Sequence, residues 1–256
     1  MNWLDAVIFS IVEGVTEFLP VSSTGHLMIA AKLLGHSQTE FLKSFEIVIQ
    51  LGAILSVLVI YWRSFLIKPE ELKRVICAFI PTALVGFVLY KFIKRYLLAD
   101  VQIVLWSLLI GGFVMIFFEK ARKPEAGDTG VAAIPYKKAF LIGLFQSLAV
   151  IPGVSRSAAT IVGGMLLGVE RRTIVEFSFL LAVPTMAAAT ALDLLKNGDS
   201  FSADQTGFLM IGFVGSFIFA FLCIKWLLNF VKRHTFTGFG IYRIAAALFF
   251  MFWFSR

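Results

Sequence analysis

Two short stretches of the chain gather residue types that can hold an oxyanion and act on it. The first, EGVTEFLPVSSTGH at 13–26, carries Glu13 and Glu17 four positions apart. That spacing puts both carboxylates on one helix face, where they repel unless a cation or a shared proton offsets them. Beyond Pro20, the hydroxyls of Ser22, Ser23 and Thr24 stand at the start of a further helix, whose free N–H groups suit an anion. His26 follows Ser23 by three residues and shares its face once the helix has begun. The second stretch, PGVSRSAAT at 152–160, offers Gly153 for a tight backbone, Ser155 and Ser157 on either side of Arg156, and Thr160 one helical turn beyond. Arg is always ionised, and its planar fork suits phosphate oxygens. An acidic wall facing this basic cradle would hold a phosphate with a divalent cation between them.

The elements that must position these residues are set by composition. Of 256 residues, 59% are hydrophobic and 15% charged, against about 45–50% and about 25% in an average soluble domain. A chain this small cannot hide so much apolar surface from water, so its solvent is a bilayer. The net charge of +7 comes from basic residues in short runs between apolar stretches, which read as topology signals and not as a nucleic-acid surface. Cys77 and Cys223 both lie in apolar segments and read as packing residues, with no disulfide framework. The opening MNWLDAVIFS lacks the basic region of a signal peptide and reads as part of the mature chain.

A helix needs about 20 apolar residues to cross. Segments 42–62, 75–95, 101–119, 173–195, 206–230 and 236–254 meet that length. Residues 3–34 break at Pro20 and residues 136–168 break at Pro152-Gly153, leaving halves too short to cross. Each is expected to be a re-entrant hairpin, because irregular backbone at membrane depth is tolerated only where protein or a water-filled cavity covers it. The expected fold is therefore an all-α polytopic membrane protein of six transmembrane helices plus two re-entrant hairpins. A shift of 133 positions lays Glu13 on Gln146, Ser22 on Ser155 and Leu33-Leu34-Gly35 on Leu166-Leu167-Gly168. The halves, approximately 1–119 and 136–256, form one membrane domain and share one order, a hairpin and three spans. An odd number of crossings inverts the second copy, and inverted repeats bring their broken helices together near the midplane.

The stretch 120–138 holds five basic residues, and its part 120–135 reads as a cytoplasmic linker between the halves. That orientation also puts Arg63, Lys68, Lys73, Arg74, Lys232 and Arg233 inside and the acidic loop 197–205 outside, while Lys91, Lys94 and Arg95 fall on the outer side against the rule. Hydroxyls in membrane helices commonly bond backbone carbonyls, so no single Ser or Thr marks a site. Buried charges are costlier, which singles out Glu13, Glu17 and Arg156. Glu46 and Gln50 share a helix face and, with Arg243, read as supporting or packing residues. His36 and His234 lie near segment ends with no chemistry expected. Trp3, Trp62 and Trp253 read as interface anchors.

EGVTEFLPVSSTGH and PGVSRSAAT resemble the two signature segments of the bacterial undecaprenyl-diphosphate phosphatase family, the one associated with bacitracin resistance. The likeness runs over the whole chain and includes EIVIQLGAI at 46–54. The resemblance implies an integral enzyme of the bacterial cytoplasmic (inner) membrane, its site facing the periplasm or outer side. Such an enzyme hydrolyses undecaprenyl diphosphate to undecaprenyl phosphate and inorganic phosphate and so recycles the lipid carrier of peptidoglycan synthesis. It also implies a divalent cation, magnesium or calcium, and important positions at Glu13, Glu17, Ser22, Ser23, His26, Ser155, Arg156 and Thr160. On this reading Glu17, Ser23, His26 and Arg156 are catalytic, and Glu13 with Glu17 holds the metal. Ser22, Thr24, Ser155, Ser157 and Thr160 bind the substrate. Either Ser23 attacks phosphorus with His26 as proton partner, or a metal-bound water attacks and His26 protonates the leaving group. Expected partners are the polyprenyl diphosphate and membrane lipid, with homo-oligomerisation left open. The rival class is a secondary transporter or lipid flippase, since broken helices in inverted repeats are typical of transporters.

Overall fold

The structure is a computed structural model that describes residues 1–37, 39–92, 101–121, 130–197 and 205–255. These residues form helices and short turns, with no strand among them. In chain order the helices are α1 Trp3–Thr16, α2 Ser23–Leu33, α3 Glu40–Ile60, α4 Trp62–Leu66, α5 Pro69–Phe92, α6 Val101–Ala121, α7 Tyr136–Ser147, α8 Arg156–Leu166, α9 Arg171–Asn197, α10 Thr206–Phe230 and α11 Thr237–Phe254. Six of them, α3, α5, α6, α9, α10 and α11, are long and apolar enough to cross a membrane. They coincide with the six segments picked out by length.

Differences lie at the ends. Helix α5 begins at Pro69, six residues before the apolar run, because Pro at the first helical position and Glu70 and Glu71 in the first turn favour a helix start even where the chain is polar. The short α4 was not expected from the sequence. Most of the linker, residues 122–129, lies outside the described residues, as do residues 198–204 of the acidic loop and Lys94 and Arg95.

Both interrupted segments form helix pairs too short to cross. Their helices hold 14 and 11 residues in α1 and α2, and 12 and 11 in α7 and α8. At about 1.5 Å per residue, even α1 reaches only about 21 Å of the roughly 30 Å hydrocarbon core. Helix α1 is started by a reciprocal capping box, in which Asp5 N–H donates to Asn2 Oδ1 and Asn2 N–H to Asp5 Oδ2, each at 2.8 Å. The Asn2 N–H holds the Asp5 carboxyl below its usual range. His36, just past α2, bonds the same carboxylate at 2.9 Å and so ties the far ends of the pair together.

The two pairs match in backbone detail at the offset of 133. Ser22 and Ser155 are the only non-glycine residues with positive φ among those described, at 74° and 76°. Each caps the helix that follows it: Ser22 Oγ accepts from Gly25 N–H and Ser155 Oγ from Ala158 N–H. Gly35 and Gly168 close α2 and α8 at φ 72° and 75°. Packing follows the same relation. Helix α1 lies against α10, α7 lies against α5, and α11 pairs with α6. The side chains of Trp3, Trp62 and Trp253 are all exposed, with the Trp3 ring tilted against that of Phe208.

Candidate active site

The turns of the two helix pairs meet at a cavity of ≈ 720 Å³, within the size range of small-molecule sites. Its polar wall contains Glu17, Ser22, Ser23, Thr24, Ser155 and Arg156. The apolar wall comes from α5 and α9, including Phe79, Ala83, Phe87, Met186 and Ala189. Leu84 and Phe87 on that wall are 61% and 76% exposed, so it reaches the surface of the protein.

Glu17 caps the C-terminus of α1 and joins the two turns. Its Oε2 accepts from Ser23 Oγ at 2.5 Å, and its Oε1 accepts from Arg156 Nη2 at 2.8 Å. The ion pair is nearly buried, with 8% of the Glu17 and 11% of the Arg156 side chain exposed. Arg156 Nη1 donates to the Ser178 carbonyl of α9 at 2.7 Å, and its buried Nε has no partner among the described residues. A buried N–H left unsatisfied is costly, and the cavity beside it is where an acceptor would arrive. Below Glu17, Glu13 is fully buried, and neither of its carboxylate oxygens has a hydrogen-bond partner among the described residues. The charged groups that act on it electrostatically are Glu17, Glu46 and Arg156. No three acidic, His or Cys side chains among the described residues converge as a ready-made metal cage.

Several expected site residues make contacts other than the expected ones. His26 does not bond the Ser23 hydroxyl, which donates to Glu17. Its Nδ1 lies 2.8 Å from the Ser22 carbonyl and so carries the proton, which leaves Nε2 to accept from the Tyr242 hydroxyl at 2.7 Å. The rings of His26 and Tyr242 also stack. Ser157 is fully buried and donates to the Phe18 carbonyl at 2.9 Å, latching the second turn to the first. Thr160 is likewise buried, donating to the Arg156 carbonyl at 2.8 Å. Neither hydroxyl lines the cavity. Gln146, the counterpart of Glu13, bonds Thr82 and Thr185 through Nε2, at 2.9 and 3.1 Å, and all three line the cavity, as does Gln50. Tyr242 and Ser178 carried no signal in the sequence, because one is an aromatic in an apolar span and the other a lone Ser in a helix.

Helices able to cross a bilayer, grouped around a carboxylate–hydroxyl–guanidinium cluster on the wall of a cavity whose other wall is apolar, define a multi-pass membrane protein. A family model described as bacitracin resistance protein BacA matches residues 6–249, and the chain belongs to that family. It is similar to the undecaprenyl-diphosphatase of Aquifex aeolicus (strain VF5), 52% identical over 248 residues that make up 97% of each chain. It is 51% identical over 255 residues to the undecaprenyl-diphosphatase of Sulfurihydrogenibium sp. (strain YO3AOP1), covering 99% of this chain and 100% of that relative. The undecaprenyl-diphosphatase of Bdellovibrio bacteriovorus (strain ATCC 15356 / DSM 50701 / NCIMB 9529 / HD100) is 46% identical over 256 residues.

Proposed function

We propose that this protein hydrolyses undecaprenyl diphosphate to undecaprenyl phosphate and inorganic phosphate, recycling the lipid carrier of the cell wall. The observation that carries the proposal is the single carboxylate, Glu17, that binds both the Ser23 hydroxyl and the Arg156 guanidinium on the wall of a cavity whose other wall is apolar. The polar wall suits a diphosphate, and the apolar wall suits the first units of its tail.

In this reading Arg156 and the helix starts at Ser22 and Ser155 bind the phosphates, with the unpaired Arg156 Nε available for a phosphate oxygen. Ser23 attacks the distal phosphorus in line. Its proton passes to Glu17, the bond from phosphorus to the bridging oxygen breaks, and undecaprenyl phosphate leaves. Water then cleaves the phosphoserine and releases inorganic phosphate. Glu17 and not His26 takes the proton, because both His26 nitrogens are engaged elsewhere. His26 holds the Ser22 carbonyl and so fixes the turn.

Glu17 and Glu13, the latter with carboxylate oxygens that have no hydrogen-bond partner among the described residues, are the side chains that would hold a divalent cation, magnesium or calcium. When bound there, the ion would neutralise charge on the diphosphate. The bacterial inner membrane, a site open toward the periplasm and two inverted half-repeats complete the proposal. The matched turns at Ser22 and Ser155 and the crossed packing of α1 on α10 and α7 on α5 support the repeat.

The test is phosphate release by the purified protein in detergent, supplied with undecaprenyl diphosphate. The expected result is inorganic phosphate and undecaprenyl phosphate in equal amounts, with release stopped by a chelator and restored by magnesium. Folded protein that releases no phosphate under any of these conditions would overturn the assignment and favour a transport role.

A further inference from the structure

Arg243 of α11 is fully buried, yet it has no carboxylate partner among the described residues. Its guanidinium donates to five backbone carbonyls instead. Nε donates to Leu108 at 3.3 Å, Nη1 to Pro20 at 3.3 Å and Val154 at 3.0 Å, and Nη2 to Ser107 at 3.0 Å and Gly153 at 2.9 Å. Arg has five N–H donors, so none is left for a ligand. The acceptors lie on three separate pieces of chain: the turn before Ser22, the turn before Ser155, and α6. Gly111 of α6 lies under the guanidinium, where an added methyl would collide with it.

We infer that Arg243 is the positioning residue of this site, fastening both turns to α6 at one fixed spacing so that the Ser23–Glu17 wall and the Ser155–Arg156 wall face each other. It acts through the turns and never touches substrate. The inference rests on the hydrolase reading for its effect on rate, but its structural part stands without that reading. Lys cannot replace it, since an ammonium has three donors on one nitrogen and cannot reach three segments at once. A misplacement of about 1 Å at a reacting group can cost about 10²-fold in rate, which sets the size of the expected loss.

The experiment uses full-length protein with Cys77 and Cys223 replaced and spin labels at two exposed positions beside the turns, Thr24→Cys and Leu148→Cys. The inter-label distance distribution is measured in frozen detergent solution for native Arg243, Arg243→Lys and Arg243→Met, and kcat is measured in the unlabelled counterparts. A broadened or two-peaked distribution is expected in both variants while they remain folded, with kcat about 10- to 100-fold lower. General loss of stability would lower the melting temperature but would not widen the distribution of the folded population. Should the Met variant not fold, Arg243→Lys and Gly111→Ala, which crowds the guanidinium out of its seat, carry the same comparison. Narrow, native-like distances together with kcat within about threefold of native would reduce Arg243 to packing. If native protein releases no phosphate, the hydrolase reading fails, while the distance comparison still decides whether Arg243 sets the spacing.

Discussion

Replacing Glu17 by Gln tests the proposed chemistry because it removes charge and leaves shape nearly unchanged. The amide oxygen can still accept from Arg156 Nη2, now 2.8 Å from Oε1. The other terminus becomes an NH2 that can only donate, so Ser23 Oγ, which donates to Oε2 at 2.5 Å, must accept instead. Two effects follow, of different size. Hydrogen bonds to charged groups contribute about 1.5–3 kcal/mol and neutral ones about 1 kcal/mol. Arg156 keeps its bond to the Ser178 carbonyl, so the stability loss is about 0.5–2 kcal/mol, a drop of a few degrees for a chain of about this size. Losing a positioned proton acceptor costs about 10²- to 10⁴-fold in rate. Phosphate release at saturating substrate, paired with a thermal melt in the same detergent, should therefore show kcat falling at least 10²-fold with little change in melting temperature. A folded Gln variant within about tenfold of native kcat would mean that Glu17 is not the proton acceptor and that its contact with Ser23 only holds the turn.

Arg156→Lys keeps the charge but cannot span Ser178, Glu17 and a phosphate together; kcat/KM for phosphate release should fall about 10- to 100-fold, the loss of about one charge-assisted bond. Gly153→Ala places a Cβ 2.6 Å from the Val104 carbonyl at a backbone φ of +92°; it should destabilise the protein by about 1–3 kcal/mol or more in chemical or thermal unfolding. Gly86 lines the cavity, and an added Cβ there meets nothing within 4 Å, so Gly86→Leu should raise stability by up to about 1 kcal/mol through helix propensity. The same change should raise KM several-fold for a long-chain prenyl diphosphate and leave a short-chain one unaffected; equal effects on both would argue that the tail does not pass Gly86.

What was legible in the sequence was local or compositional. Spans were readable because about 20 apolar residues leave few alternatives, and the breaks were readable because Pro20 and Pro152 stand beside polar, turn-forming residues, whereas Pro81 and Pro184, in apolar runs, sit inside the continuous helices α5 and α9. Glu17 and Arg156 were readable as charges too costly to bury idly, and the structure brings them together as an ion pair. His26 bonds groups other than the Ser23 hydroxyl for a simple reason. Spacing of three puts Ser23 and His26 on one face only inside a regular helix, and Ser23 is the first residue of α2. Its hydroxyl turns back to the end of α1, while His26, a turn later, faces α11. Ser157 and Thr160 bond backbone carbonyls: a hydroxyl beside a site is as useful for bonding a neighbouring carbonyl as for bonding a ligand, and type and spacing alone do not separate the two. The five acceptors of Arg243 come from segments between 89 and 223 residues away for the turns and 135–136 for α6, a convergence visible only in three dimensions.

The strain at the two turns connects the fold to the chemistry. Ser22 and Ser155 hold positive φ without being glycine, at a cost of about 1–3 kcal/mol each, and such backbone persists only where its surroundings over-determine it. The surroundings supply more than local capping. Ser157 bonds Phe18, Arg156 bonds Glu17, and Arg243 of α11 bonds both turns at once, so much of the restraint on each turn comes from outside its own helix pair. Neither helix pair alone could keep its Ser in this conformation with its cap aimed at the cavity. Precision at the site is therefore a property of the contact between halves, which is why a side chain on α11 with no free donor has as much control over the spacing of the walls as the residues that line them.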